Sequence, residues 1–470
     1  MIPAGVGWIR LYMLAQPFPP GPSTLRAMRG LRNLGGGGDL ASVPRFFASM
    51  AADFPGIAHW KLLRNHFFFL DDPALVEDVL VTNSRDYMKG RGIQRLKRLL
   101  GEGLLTSEAP LHLRQRRMLQ PAFHKSRING YGDRMVRATR AHIAGWSDGA
   151  ELAVDHEMTG LTLGIAADTL FSANMSADAP AVRAALGEAM LSFPASMSAY
   201  GELLDLLPIL PITRRFNAAR AQLDAIIYGI IAERRAAGVT HDDLLQMLID
   251  ARDEEASSMS DELVRDEAMT IFLAGHETTA NALAWTLVLL AQNPAAEAQL
   301  HAELDRVLDG RAPAAADLPH LAYTHGVFSE ALRLYPPAWV IGRRAVRETH
   351  IGPWTIPKGG VVIASQLITH RNPRLWPQAE AFRPERWSDA ESAGRPKFAY
   401  FPFGGGPRRC IGEPFAWMEG VLVLAALAQS WRFSLTGAVP VTAPTVTLRP
   451  KSAIRMRAER RTRAGTPAAR

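Results

Sequence analysis

A chain of 470 residues that is 47% hydrophobic and 21% charged has ample material for a large core, and that balance argues against disorder. The formal charge of +7 is concentrated at one end, where residues 451–470 carry seven basic side chains against one acidic; the body is near neutral, which argues against a nucleic-acid binder. A single cysteine rules out an intramolecular disulfide and a four-cysteine metal site, and nothing calls for an oxidising compartment, so the cytoplasm is the expected location.

Residues 6–15 are apolar but broken by Arg10, and they fall short of the roughly 20 residues that a membrane span needs. They also lack a basic leader and a small-residue cleavage site, so neither a transmembrane anchor nor a secretory signal is expected. Residues 17–22 and 35–38 read as loops, with a helix around 23–32 between them. Aromatic and branched residues over 60–70 suggest strands, Asp71-Asp72-Pro73 a turn, and 73–80 a helix. From 121 to 334 helical periodicity dominates, interrupted by proline-containing turns near 208–212, 294 and 319. Short β-type runs at 349–356 and 360–363 sit beside Gly-Pro and Pro-Lys-Gly turns, and 445–456 is strand-like again. The expectation is one domain over 1–458, mainly α with small β-sheets, and a disordered basic tail over 459–470.

Four stretches carry chemistry. In His112-Leu-Arg-Gln-Arg116, His112 and Arg116 are four apart and share a helical face suited to a carboxylate ligand. Residues 260–292 form the longest helical run, with Ser260 as N-cap, Asp261 and Glu262 in the first turn and Pro294 as the stop. In its middle, Ala274-Gly275-His276-Glu277-Thr278-Thr279 places a glycine and two threonines where a helix interior disfavours them, and such a local violation invites a functional reading. For Thr278 the alternative is a hydroxyl bonded back to its own helix. Glu330 and Arg333 are an i,i+3 pair that can meet on one helix face.

The fourth stretch is Phe403-Gly-Gly-Gly-Pro-Arg-Arg-Cys410-Ile-Gly412. Glycines 404–406 allow a tight turn whose backbone N–H groups can approach a sulfur. Residues 413–429 then read as a helix, so Cys410 lies near a helix N-terminus, where the partial positive charge favours thiolate, and Arg408 and Arg409 are expected to push the same way.

Phe403, Gly406, Arg408, Cys410 and Gly412 match Phe-x-x-Gly-x-Arg-x-Cys-x-Gly, and the chain resembles the cytochrome P450 family over nearly all its length. The resemblance implies that family's fold, a triangular prism of helices enclosing haem b, with the long helix at about 260–292 running through it. It implies Cys410 as proximal iron ligand, Phe403 beside the sulfur and Arg408 on a haem propionate; thiolate ligation, for which this family is the standard case, favours O–O cleavage. His112, where many members have Trp, and Arg116 would hold propionates, as would Arg343 or its neighbour Arg344. Small Ala274 and Gly275 would let the helix pass close over the haem. Thr278 would hydrogen-bond bound dioxygen and Glu277 would feed protons from solvent, while His276 is ordinary. Glu330, Arg333 and Arg386 would form a structural triad locking the loop to Cys410, with Trp387 in place of the usual Phe without consequence. Substrate-facing positions would lie in 89–105, around Phe272 and Ala274, in 338–340 and near Ser452.

The function that follows is a haem-thiolate monooxygenase inserting one atom of O2 into a hydrophobic substrate, by hydroxylation or epoxidation of a fatty acid or terpenoid-like molecule. No flavin or iron–sulfur domain is legible, so a separate electron donor is implied, a ferredoxin with its reductase ahead of a flavodoxin or flavin reductase. Arg114, Arg117, Lys125, Arg127 and Arg409 would steer it electrostatically to a monomeric enzyme. The apolar run 203–212 would line a substrate entrance, touch a membrane surface or simply pack in the core. The rivals are a peroxide-using or O2-independent haem-thiolate enzyme and a non-catalytic haem-binding sensor.

Overall fold

The computed structural model describes residues 18–31, 41–172, 181–189, 210–238, 241–251 and 259–462, apart from single positions 183 and 242. The fold is built around one helix, Asp261–Gln292, of 32 residues. Ser260 caps it by accepting the N–H of Leu263, with Asp261 and Glu262 in the first turn. At 1.5 Å per residue it is about 48 Å long. From Val264 to Leu290 it is buried on nearly every side, with a break at 274–278, so it is a core helix rather than an amphipathic surface one. Helices Val154–Phe171, Pro211–Ala237, Ala322–Leu334 and Glu413–Ser430 pack against it. Helix Lys125–Ala144 lies on Glu413–Ser430, and they approach closely because Gly132 faces Met418 and Leu422.

Among the described residues the strands form four sheets. The largest has five strands, in the order Ile57–Leu62, Asn65–Leu70, Val361–Ala364, Ile341–Ala345 and Tyr87–Lys89. The first pair is an antiparallel hairpin, while Asn65–Leu70 runs parallel to Val361–Ala364. Strand Arg455–Arg460 sits between Ala150–Ala153 and Trp431–Leu435, and Thr442–Pro444 pairs with Leu448–Pro450 in a hairpin.

The expected α-rich architecture with small sheets is the one found. The helix expected around 23–32 is Thr24–Leu31, and the one expected at 73–80 stops at Glu77 and continues as a wider turn, Asp78–Thr82. The ordered body runs past 458: strand Arg455–Arg460 continues the sheet, and Arg461 pairs with Asp305 and donates its N–H to Ser430 O at 2.9 Å. Residues 203–209, most of the apolar run, and 463–470, the end of the basic tail, lie outside the described residues. Among the described residues no helix is long and apolar enough to cross a membrane.

Candidate active site

The loop that carries Cys410 is shaped by glycine. Gly404 and Gly406 have φ of +71° and +67°. A Cβ on Gly406 would sit 1.9 Å from Leu80 O, and one on Gly405 2.5 Å from the Phe398 ring. The turn closes when Cys410 donates its N–H to Phe403 O at 3.0 Å, and the Phe403 ring leans on Trp417. The sulfur presents open surface, yet burial dominates its acidity and pushes the thiol up to about 11. The Gly412 N–H, Arg116 and Arg409 work in the opposite direction and lose. The sequence expectation that helix terminus and arginines alone favour thiolate is thus corrected. Arg409 is occupied by Glu413 and Arg408 by Glu108, so the thiol stays protonated at pH 7 until a metal cation displaces its proton.

A cluster of basic groups lies nearby. His112, on helix Leu111–Leu119, is 4% exposed and brought down to about 4 by burial, then by Lys89, Arg408 and Arg116, so it is neutral at pH 7. Arg116, one turn on, reaches the cysteine loop and donates to Arg409 O at 2.8 Å. Arg343 is enclosed and lowered to about 10 by burial and Arg408. Arg344, its neighbour on strand Ile341–Ala345, donates instead to Met88 Sδ at 3.0 Å, as strand alternation requires. Lys89 joins the cluster, donating to Leu104 O at 2.9 Å and Ser107 O at 2.6 Å; burial first, then Arg408, lower it to about 7. Sequence reasoning placed Lys89 only at the edge of a substrate loop, since nothing in its neighbours reveals the depth at which its amine ends.

The anions do not match the cations. Glu108 pairs with Arg408 and accepts the backbone N–H of Lys89 at 2.7 Å. Glu267 is pushed up to about 8 by burial and carries no charge at pH 7. Arg408 Nη1 is buried without a hydrogen-bond partner. Guanidinium and ammonium groups that outnumber the nearby anions, beside a lone thiol, are what a flat group with a thiolate-binding metal and peripheral carboxylates requires. The residues fit a haem.

In the middle of the central helix burial is interrupted. Ala274 is exposed although the residues before it are buried. Gly275 is less constrained than expected: an added Cβ would find only Leu170 Cδ1, at 3.9 Å. Thr278 donates its hydroxyl to Ala274 O at 2.8 Å, so its proton is engaged by the helix and its oxygen faces outward as an acceptor. His276 is a core histidine, buried, bonded to Phe272 O at 2.7 Å and lowered by burial.

Glu277 is held by the C-terminal hairpin, a partner 172 positions away that sequence pattern does not reveal. Arg449 Nε meets its Oε1 at 2.6 Å, and the Thr447 hydroxyl donates to the same oxygen. Burial alone would raise this carboxyl, but Arg449 outweighs it and the group lies below its ordinary 4.5. Its stabilisation is therefore present above that value and lost as pH falls through the lowered one. In Arg449→Met burial is opposed only by the Thr447 hydroxyl and His276, so Glu277 should move above the ordinary value, and stability should instead fall as pH rises through it. Melting temperature followed from pH 4 to 8 checks the reversal, and Glu277→Gln should remove it.

Glu330 and Arg333 meet in a two-bond pair, both contacts 2.8 Å and both side chains 0% exposed. Arg386 adds a third contact to Glu330 at 3.1 Å. Arg333 also donates to His370 O and Ala379 O, and His370 Nε2 accepts the N–H of Phe401 at 2.9 Å, which ties the triad to the cysteine loop. Trp387 is not neutral as expected: its indole N–H donates to Glu330 Oε2 at 3.1 Å, a bond that Phe cannot make.

Comparison with known proteins finds similarity along most of the chain. A family profile described as Cytochrome P450 matches residues 19–455. The chain is 43% identical over 369 residues to cyclooctatin synthase of Streptomyces melanosporofaciens, covering 77% of this chain and 79% of that protein. It is 38% identical over 397 residues to cyclooctat-9-en-7-ol 5-monooxygenase of the same organism, covering 83% and 84%. To pentalenene oxygenase of Streptomyces avermitilis it is 33% identical over 366 residues, covering 77% and 81%. The crystal structure of the cytochrome P450DA heme domain superposes with a TM-score of 0.83 at 28% identity, covering 95% of this chain and 98% of the other.

Proposed function

The chain belongs to the cytochrome P450 family and is a monooxygenase, and from that premise we propose that it hydroxylates or epoxidises a polycyclic terpenoid-type hydrocarbon or alcohol on haem b held by Cys410. The observation that carries the assignment is the lone thiol, on a loop whose course its glycines fix, beside basic side chains of which Arg408 keeps a buried nitrogen without a hydrogen-bond partner. The names of the relatives, which act on cyclooctat-9-en-7-ol and pentalenene, favour a cyclic hydrocarbon skeleton over a fatty acid.

Haem bound there would supply oxygen activation, with two electrons from a separate donor. The chain's residues do the rest. Cys410 would ligate through sulfur; His112, Arg116, Arg343, Arg408 and Lys89 would take the two carboxylates, which relieves their mutual repulsion. Phe403 and Trp417 would screen the sulfur from water. Ala274 leaves room over the site, Thr278 offers an acceptor oxygen there, and Glu277, ionised, must leave Arg449 before it can carry a proton inward. The Glu330–Arg333–Arg386 triad would keep the loop in place.

A reduced carbon monoxide difference spectrum tests the ligand. Spectral shifts induced by cyclic terpenes, measured against fatty acids, test the substrate class, and fatty acids alone giving shifts would overturn it. Product formed with donor proteins but not with hydrogen peroxide separates the monooxygenase from a peroxide-using enzyme. We assign the donor as a ferredoxin, the enzyme as a monomer and its location as the cytoplasm. Arg114 and Arg117 are exposed on the helix whose Arg116 reaches Arg409 O, Arg409 is exposed but paired with Glu413, and the Lys125 side chain lies outside the described residues. Arg117→Glu should weaken ferredoxin binding severalfold and flatten its salt dependence, measured by titration at two ionic strengths.

A further inference from the structure

Two buried polar atoms of the central helix, Glu267 Oε1 and Thr270 Oγ1, meet no hydrogen-bond partner among the described residues. The two residues are three apart and share a helix face, which continues through Ile271 and Ala274 to Thr278. Glu267 is 0% exposed and Thr270 4%. Other threonines of this helix bond back to it: Thr278 donates to Ala274 O and Thr286 to Ala282 O. Thr270 does not. Nor is the pair covered by a loose loop. The Glu102 N–H donates to Asp266 at 2.7 Å, the Leu104 N–H to Glu267 Oε2 at 2.9 Å, and Lys89 Nζ to Leu104 O at 2.9 Å. Gly103 comes so close that a Cβ there would fall 2.1 Å from Thr270 Oγ1.

Valine and methionine would fill these positions without the cost of unpaired polar atoms, so two of them on one face ask for a ligand. The chemistry of the pair says which kind. Burial raises Glu267 to about 8, so it is protonated at pH 7. With Oε2 accepting from Leu104, its O–H sits on Oε1 and is a donor. Thr270 Oγ1 offers lone pairs. One alcohol hydroxyl answers both, accepting with its oxygen and donating with its proton. An anionic group suits the place less well. Asp266, paired with Arg265 at 2.8 Å, acts on Glu267 more strongly than Lys89 does and disfavours a second negative charge.

We propose that Glu267 and Thr270 anchor a hydroxyl already present on the substrate, so that the enzyme oxidises a cyclic terpenoid alcohol in preference to its parent hydrocarbon. The hydroxyl reaches the pair along the helix face, past Ile271. From residue 270 to the notch at 274–278 the helix rises about 6–12 Å. The carbon presented for oxidation lies that far from the anchored hydroxyl, across the ring skeleton. The reaction that supplies the substrate must then leave a hydroxyl on it, as an earlier oxygenation or a cyclisation ended by water does. This rests on the monooxygenase reading and narrows its substrate.

The test uses the full-length haem-loaded protein and three matched pairs, borneol with bornane, cedrol with cedrane and sclareol with labdane. Dissociation constants from spectral shifts should favour the alcohol about tenfold in the wild type. Thr270→Val, which keeps the shape, should lose most of that preference while hydrocarbon affinity holds. Glu267→Gln retains an acceptor for Leu104 and a donor for the ligand, so it should keep the preference that Glu267→Met loses. Infrared difference spectra of the alcohol complex should show a shifted carboxyl stretch that Glu267→Gln lacks. If Glu267→Met does not fold, Thr270→Val decides. Equal affinity for alcohol and hydrocarbon overturns the proposal, as does a preference that Thr270→Val leaves unchanged. A wild type without the haem-thiolate carbon monoxide band, or one that answers only to fatty acids, defeats the underlying reading and this proposal with it. Terpene shifts without a preference for the alcohol defeat this proposal alone.

Discussion

Glu330→Ala is expected to cost about 3–5 kcal/mol, the loss typical of breaking a buried charge network, and to take haem binding with it. The magnitude follows from what is left behind. Arg333 would keep its charge at 0% exposure with only the carbonyls of His370, Ala379 and Ala381 as hydrogen-bond acceptors and the Trp376 ring beside it, and Arg386 would keep the Gln378 carbonyl. The backbone N–H of Arg383 and the indole N–H of Trp387 would lose their acceptor as well. The route to the site is short: Arg333 holds His370 through its carbonyl, and His370 holds Phe401, two residues before the turn that bears Phe403. Trp387→Phe should lose one hydrogen bond and about 1–2 kcal/mol, with haem retained. Urea midpoints for the two variants, read beside haem content, check both. A Glu330→Ala protein that melted with the wild type would show the network to be dispensable.

How much of this was legible before the fold was known depends on the range of the interaction. The central helix announced itself through Ser260, Asp261 and Glu262, because capping is local and the capping contact forms as the spacing requires. Glu330 and Arg333 were legible for the same reason: three residues apart on a helix, they can hardly avoid each other. Cys410 stood out by being alone, but its acidity did not follow from its neighbours in sequence. Arg408 and Arg409 are engaged by Glu108 and Glu413, and burial decides the rest. Arg343 and Arg344 could not be told apart until the register of strand Ile341–Ala345 against Tyr87–Lys89 set which face each occupies. Arg449 and Lys89 gave no signal, since their significance lies in partners or in burial that local pattern does not encode. Trp387 looked like a neutral replacement because its indole N–H matters only once Glu330 lies beneath it.

Cys410→Ser is expected to abolish the carbon monoxide band of the thiolate-ligated haem and all O2-dependent turnover, while leaving the fold nearly untouched. The loop does not depend on the side chain at 410. Its course is set by the left-handed conformations of Gly404 and Gly406, by the close approach of Gly406 to Leu80 and by the backbone bond from Cys410 N–H to Phe403 O, all of which serine preserves. Nor does the sulfur hold an ion pair in the protein; burial keeps it as a neutral thiol. What changes is the donor. A thiol that burial has raised to about 11 can still surrender its proton to a soft cation, whereas a serine hydroxyl in the same enclosure is a harder and far weaker acid. Lys89, His112, Arg343 and Arg408 are intact in the variant, so porphyrin should still enter, bound by its carboxylates and ligated differently or not at all. The paired measurement is melting temperature and absorption spectrum after haem reconstitution. Glu330→Ala should lose both, and Cys410→Ser only the second. Were Cys410→Ser to keep the thiolate spectrum, the ligand would have to be some other group, and no second thiol exists in the chain to provide it.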